Sequence, residues 1–427
     1  MIEKVASNTS RQPSAECFPS PLGVGYAGGF VVRVYTDVSR ATLEQLQNSL
    51  HGDVTHTAFQ AASFLAPFYE HAGTHATSLL VEVARVEDSG SLMLMPLLMR
   101  QSSGIVRIEG ADLGFADYVA PIAVEGLKPS ADELEAIRQA FLEALPQVDL
   151  LSLKKMPREL GLATVNPFAQ LQGSASMGIA TKVLDLRDAT CPSHYKRSGI
   201  YKDGMRQLRR LRKKGTVDFR VASTAEGAEQ LFAELVDQRR SRFEAVARPD
   251  PLSDPGVREF YRTLICNGVP QGTVLFGGLF LDDVCIATDL GLVHDSTHFG
   301  IFTTMRSGSL SSYSPGTIAF MLILDETVAR GIDHYDIGVG EFPYKDRLKG
   351  HCRPLYEWNK ALTFKGHIAA AELTLRRNVR IGLKHYPALR RPTAWLRQML
   401  NSFRRWLPTG GLAIADLPGV ITVLPLI

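Results

Sequence analysis

Cysteine is sparse in this chain: Cys17, Cys191, Cys266, Cys285 and Cys352 are scattered through 427 residues, and no two form a Cys-x-x-Cys pair. The spacing argues against a disulfide framework and a zinc knuckle, and it predicts free thiols in a reducing compartment with no metal site. A basic start followed by an unbroken apolar core is also missing, so no secretory signal is expected and the reading is cytoplasmic. Long apolar runs are absent too. Residues 412–427 are apolar, but Asp416 and Pro418 interrupt them and they fall short of the roughly 20 residues a spanning helix needs.

What is present is ordinary in kind and uneven in placement. Forty-five per cent of the residues are hydrophobic and 21% are charged, enough apolar material for a real core. The length predicts two domains. The net charge of +3 conceals two basic segments: 201–214 carries +6 and 372–406 carries +8, which leaves −11 for the rest. An acidic body with two basic patches points to polyanionic partners or a membrane surface.

In chain order, residues 1–28 read as a loose end rich in Pro and Gly. A strand follows over 30–35, then a helix through Phe64, Leu65 and Phe68 behind a capping-box pair, Thr57 and Gln60. Residues 78–85 and 91–99 flank a turn and predict a hairpin. Ser130 and Glu133 form a second capping box before a helix with Leu134, Ile137, Phe141, Leu142 and Leu145 on one face, and a strand runs over 148–153. The second half repeats that order of elements without repeating the letters. Ser223 and Glu226 cap a helix, another runs over 254–266, and 273–281 with 284–293 form a hairpin across Asp282-Asp283. A strand over 297–304 comes next. The halves meet between 173 and 185, and 355–359 with 361–364 read as a strand pair that completes the second sheet.

The chain is organised around 311–345, SSYSPGTIAFMLILDETVARGIDHYDIGVGEFPYK. A Ser/Gly-rich loop leads through Ser314-Pro315-Gly316 into a helix ending at Gly331, and a strand follows over 334–338. An exposed helix N-terminus among small residues is an anion site through its free N–H groups and dipole. It is equally a plain turn, with Pro at a position where its missing N–H costs nothing.

Hairpin, strand, loop, helix, strand resembles the core of GNAT acyl-CoA N-acyltransferases. Tyr313-Ser314-Pro315-Gly316, Ala329-Arg330-Gly331, Tyr335-Asp336 and the run from Gly340 to Lys345 are similar to the acetyltransferase 6 group (BioF2-like, CelD/BcsL-like), linked to cellulose and exopolysaccharide synthesis. The basic run from Arg206 to Gly215 and the stretch 232–242 resemble it as well. The likeness covers about 190–350, with the first half as a degenerate partner and a more distant similarity to FemX-type tandem aminoacyltransferases. One departure is Arg347-Leu348, where the group often has an aromatic; it bears on the acceptor pocket. The resemblance implies an α+β protein of tandem GNAT folds, each a mixed, mostly antiparallel sheet flanked by helices. The divisions are 29–178, 179–366 and a basic, aromatic-containing tail over 367–427.

In the mechanism this implies, an amine or hydroxyl of a sugar, envelope or exopolysaccharide precursor attacks the thioester of acetyl-CoA or another acyl-CoA directly. Ser314, Gly316 and Thr317 are the candidate pyrophosphate cradle, with Lys345 adding charge to phosphate or substrate, and backbone of 297–304 would hold the thioester carbonyl. Glu341 and Asp289 are the candidate bases, Asp289 because it interrupts the apolar run Ile286-Ala287-Thr288-Asp289-Leu290, where a carboxylate must be paired or shifted. Tyr344 is a candidate proton donor to the leaving thiolate. Each has a plain structural alternative, and His298 reads as a satisfied strand histidine. Two other readings stand beside this one: a FemX-like transferase using charged tRNA, with the basic helix as its contact, and a non-catalytic scaffold in a polysaccharide synthesis complex. The tail over 372–406, with Trp395, Phe403 and Trp406, suits an anionic lipid surface or a partner protein.

Overall fold

The computed structural model describes residues 20–385, apart from 74, 89, 162, 188–193, 247, 341–346 and 349. The first half contains β1 (Gly23–Ala27), β2 (Phe30–Thr36), α1 (Arg40–Gln47), β3 (Val54–Thr55), α2 (Ala62–Pro67), β4 (Thr77–Arg85), β5 (Ser91–Ser102), β6 (Ile105–Gly110), β7 (Ile122–Val124), α3 (Ala131–Ala144) and β8 (Leu150–Pro157). The second contains β9 (Ala175–Asp185), α4 (Gly199–Leu211), β10 (Val217–Val221), α5 (Ala225–Ala245), α6 (Pro255–Gln271), β11 (Val274–Leu281), β12 (Val284–His294), β13 (Thr297–Met305), α7 (Pro315–Ala329), β14 (His334–Val339), β15 (His351–Ala361) and α8 (Phe364–His385).

The strands form one mixed sheet in the order β1-β2-β4-β5-β6-β8-β15-β9-β14-β13-β12-β11-β10, with β3 and β7 off that path. The α+β expectation of a mixed, mostly antiparallel sheet flanked by helices holds. Both halves use one plan: three antiparallel strands, a helix, then a strand parallel to the third. In the first half β6 runs parallel to β8 and α3 connects them. In the second, β13 runs parallel to β14 and α7 connects them.

Three apolar cores follow from this layering. Phe141, Phe168 and Trp358 sit in the core between α3 and the first half's sheet. Ile318, Ile323 and Tyr335 belong to the core beneath α4 and α7. A third core joins the halves, with Phe59, Phe64, Phe68 and Tyr118 against Phe260, Tyr261 and Phe299. Phe64 meets Phe260 edge-on at 5.2 Å, the kind of aromatic pair that adds about 0.5–1.5 kcal/mol beyond its buried area.

Several expectations need correction. Residues 23–27 are not part of a loose end: they form β1, antiparallel to β2, and α3 packs over them. The two strands expected over 355–364 are one strand, β15, and the chain then turns into α8 at Phe364. Asn359 and Lys360 pair with Ser152 and Leu151 of β8, so the strand runs through them. Nor does β15 complete the second sheet alone, because it lies between β8 and β9. The cap of α5 is Thr224 and not Ser223; its hydroxyl accepts from Gly227 N. The segment 173–185, read as the boundary, is mostly β9. The described part of the tail is α8, packed on β15, β8 and β9; the remainder of the tail lies outside the described residues. Among the described residues no helix is long and apolar enough to cross a membrane.

Candidate active site

Strands β13 and β14 pair over three residues only, Thr297↔His334, His298↔Tyr335 and Phe299↔Asp336. Beyond Phe299 they part, and local features of each strand accompany the divergence. On β13 the register with β12 jumps from Gly291↔Gly300 to Leu290↔Phe302, so Ile301 is an extra, bulged residue whose backbone the ladder leaves unpaired. On β14 the ladder with β9 skips between Asp336 and Val339, where Gly338 takes φ +77. A Cβ at Gly338 would fall 2.2 Å from Asp117 Oδ2, so only glycine fits there.

The N-terminus of α7 stands at the head of this opening. Ser314 occupies the cap position in the left-handed region, φ +51, and makes no side-chain capping bond. Thr317 N and Ile318 N both turn back to Ser314 O, at 3.0 and 3.2 Å. The first helical residue is Pro315, which has no N–H. Gly316 leaves ordinary van der Waals room, 3.7 Å from an added Cβ to Thr303 Cγ2. The corresponding helix of the first half differs in kind. The start of α3 is closed by a full capping box, with Glu133 N donating to Ser130 Oγ at 3.2 Å and Ser130 N donating to Glu133 Oε2 at 2.8 Å. The connecting helix of the second half therefore starts without a side-chain cap, and that of the first starts in a capping box.

Asp289 lies on β12, buried beneath α7, and accepts from Thr303 Oγ1 at 2.7 Å and from the Tyr335 hydroxyl. Burial pushes its pKa up to about 7 while those two donors hold it down. Thr303 itself is exposed in the opening, so the buried carboxylate is one hydrogen bond from solvent. His298 lies on the same layer. Its Nδ1 is 2.8 Å from Thr327 Oγ1, its ring is 4.5 Å from that of Tyr335, and among the described residues its buried Nε2 has no partner. The satisfied histidine expected from the sequence is thus bonded at one nitrogen only.

The other side of the opening is built by the first half. Tyr118 donates to the Asp336 carboxylate and bonds Thr181, and all three are buried. Burial first, then the neighbouring Asp336 charge, holds the Tyr118 hydroxyl protonated far above its ordinary range. Asp117 accepts from Val339 N at 3.2 Å and so ties the end of β14 to the first half. Phe302 faces this side against Tyr261, 5.1 Å between rings, with the Arg239 guanidinium 4.4 Å over it.

Of the residues predicted from sequence, the structure brings Ser314, Gly316 and Thr317 to one helix end and sets Asp289 below it through Thr303. Glu341, Tyr344 and Lys345 lie outside the described residues. Sequence reading passed over Thr303, Asp117 and Tyr118, none of which carries a local signal. Asp336 had one, the same interruption of an apolar strand that marked Asp289. The basic helix α4 flanks the site: Arg210 lies 5.0 Å over the ring of Tyr313, and Tyr201 anchors α4 to Asp325 of α7 at 2.7 Å. Lys202, Arg206, Arg209 and Lys213 form an exposed stripe at helical spacing.

Comparison with known proteins agrees with this architecture. Residues 201–346 match the family model described as an acetyltransferase (GNAT) domain. No curated protein matches the sequence. Among solved structures, FemX superposes with a TM-score of 0.50 at 8% identity, over 76% of this chain and 96% of FemX. The C-terminal domain of a putative lysylphosphatidylglycerol synthetase from Agrobacterium fabrum gives 0.46 at 10% identity, over 79% and 96%. A tandem GNAT protein from the clavulanic acid biosynthesis pathway gives 0.42 at 10% identity, over 78% and 99%. The chain has a tandem GNAT-type fold, and residues 201–346 of its second half match the GNAT domain model.

Proposed function

We propose that the protein is an acyl-CoA-dependent N- or O-acyltransferase of the CelD/BcsL-like subgroup, with an acceptor drawn from sugar, envelope or exopolysaccharide precursors. The observation that carries the reading is the contrast between the two helix ends. Of the two connecting helices, α3 starts in a full capping box and α7 starts without a side-chain cap, which suits phosphate, and the GNAT model falls on the half that holds α7.

Each group then has a distinct task. The Gly316 N–H, which makes no backbone bond, and the Ser314 and Thr317 hydroxyls hold the donor's diphosphate, and the exposed arginines of α4 add positive potential beside it. When bound, acyl-CoA supplies an activated carbonyl for direct attack by the acceptor. Backbone N–H of β13 at the Ile301 bulge is placed to donate to the oxygen that gains charge. Asp289 serves as base through Thr303: the acceptor proton passes to Thr303 Oγ1 as the threonine proton passes to Asp289 Oδ2. A carboxyl that titrates near 7 suits that role at neutral pH. Glu341 is the competing base, and Tyr344 and Lys345 keep their candidate roles toward the leaving thiolate and the phosphates. Tyr118, Asp117 and Phe302 shape the acceptor side.

Isothermal titration with acetyl-CoA and CoA, run beside Gly316→Trp, tests the reading. Micromolar binding that the variant loses supports it. Absence of heat from a folded protein with acetyl-CoA and longer acyl-CoAs removes it and leaves the scaffold reading. The α4 stripe favours one further alternative, FemX-like transfer from charged tRNA. Affinity for tRNA would then fall steeply with salt, as it does wherever cations displace phosphate counterions.

A further inference from the structure

The sheet face covered by α8 carries charges that the reaction proposed above does not use. In β6, β8 and β15 one set of side chains, including Ile108, Leu151, Leu153 and Trp358, fills the core on the α3 side. Alternation sends Arg107, Glu109, Ser152, Lys154, Glu357 and Asn359 to the opposite face, beneath α8. The sheet register sets them side by side: Arg100 directly opposite Arg107, Glu109 opposite Ser152, and Ser152 opposite Asn359. Two like charges directly opposite each other on adjacent strands are normally avoided.

The acids there are already engaged. Glu109 is paired with Arg100. Glu357 accepts from Arg377 Nη1 and from Asn359 Nδ2, each at 3.2 Å, and Ser152 Oγ closes the row on Asn359 Oδ1 at 2.7 Å. Glu372 is taken by Arg376 on α8. Three cations are left over. Among the described residues Arg107, Lys154 and Arg380 make no hydrogen bond or ion pair with a protein acceptor, and Arg107 Nε and Arg380 Nη1 are buried without any partner. Desolvation correspondingly lowers the pKa of all three. The three side chains are half-buried, a buried cationic nitrogen without an acceptor is costly, and an anion reaching Arg107 Nε and Arg380 Nη1 would offset that cost.

We propose that the layer between α8 and strands β6, β8 and β15 is a binding site for a phosphate group, held by Arg107, Lys154 and Arg380. It is built from β6 and β8 of the first half and β15 and α8 of the second, away from the α7 end, and would take either a soluble phosphate compound or a phospholipid headgroup. The outer face of α8 makes the second source concrete: Phe364, Ile368, Leu375 and Val379 line one stripe, 80, 60, 64 and 53% exposed.

The test uses the full chain carrying Gly316→Trp, so that the α7 end does not contribute, in a low-salt buffer free of phosphate. Inorganic pyrophosphate is titrated by calorimetry and thermal shift. Phosphatidylglycerol vesicles, with phosphatidylcholine vesicles as reference, are tested by co-sedimentation. The expected result is saturable binding in at least one arm, weakened by about tenfold or more in Arg107→Gln and in Arg380→Gln, as befits a lost charge-assisted hydrogen bond. Lys213→Gln, in the exposed turn just after α4, should leave it unchanged. Pyrophosphate binding identifies a soluble ligand, and vesicle binding alone identifies a headgroup. Should the arginine variants fail to fold, Lys154→Met serves, and it should also raise the melting temperature of the ligand-free protein by removing an unpaired cation. No saturable binding in either arm, or binding equally weakened by Lys213→Gln, overturns the proposal.

Discussion

Thr303 donates to Asp289 across 2.7 Å, which joins an exposed hydroxyl in the opening to a carboxylate buried beneath α7. The pair links the stability of the second half to pH. Asp289 has a folded pKa of about 7 against an ordinary 3.8, so the folded state binds its proton more tightly than the unfolded chain does. The stabilising contribution is complete below about pH 4 and is lost as pH rises through 7, at about 1.4 kcal/mol for each pH step between those two values. Asp289→Asn should flatten the unfolding free energy between pH 4 and 7 and make the variant the more stable protein at pH 8. Urea titrations across that range check it, and an unchanged slope would show that Asp289 is not the titrating group. If Asp289 is the base, the same substitution abolishes transfer while acyl-CoA binding persists, whereas Glu341→Gln leaves turnover in place.

The Tyr118 hydroxyl bridges the halves at Asp336 and Thr181. Tyr118→Phe takes a donor from the buried Asp336 carboxylate, which keeps its bond from Gly338 N at 2.8 Å. A cost of about 1–3 kcal/mol is expected for the weakened satisfaction of that carboxylate. Chemical denaturation measures it, and a change under about 0.5 kcal/mol would mean that water replaces the hydroxyl.

The two helix ends should respond oppositely to loss of a hydroxyl. Ser130→Ala breaks a capping box and should cost about 1 kcal/mol. Ser314→Ala removes no capping bond and should change stability by less than about 0.5 kcal/mol. Its effect should appear instead in donor affinity. Equal destabilisation by both would contradict the description of α7 as open.

Gly25 packs so closely under α3 that an added Cβ would fall 2.1 Å from Ala140 O. Gly25→Ala should therefore cost about 1–3 kcal/mol by forcing β1 and α3 apart. Hydrogen exchange should show the loss confined to those two elements.

That glycine also shows where sequence reading stopped. Gly-Val-Gly-Tyr-Ala has the composition of a loop, and its identity as a strand depends on a helix backbone more than a hundred residues later. Elements whose signals are local were legible: both hairpins, the Ser130–Glu133 box and the unit from Ser314 to Val339. Asp289 was legible because a charge in an apolar run is conspicuous wherever the strand lies. The cationic layer beneath α8 was not, since Arg107, Lys154 and Arg380 come from three separate elements and only the packing of α8 on the sheet unites them. The place of β15 was hidden for the same reason. Its alternation marks a strand, but not the neighbours it joins.

The position of β15 has a consequence for how the protein is made. Among the described residues, the strand that joins β8 to β9 is the last of the sheet to be made. Until then the nascent chain holds two bare strand edges facing a vacant slot, the kind of surface on which chains cross-pair. The strand therefore acts as a keystone, and a product cut short before His351 would present those edges permanently. Such truncations should accumulate as aggregates, and a separately supplied segment containing β15 and α8 should rescue them.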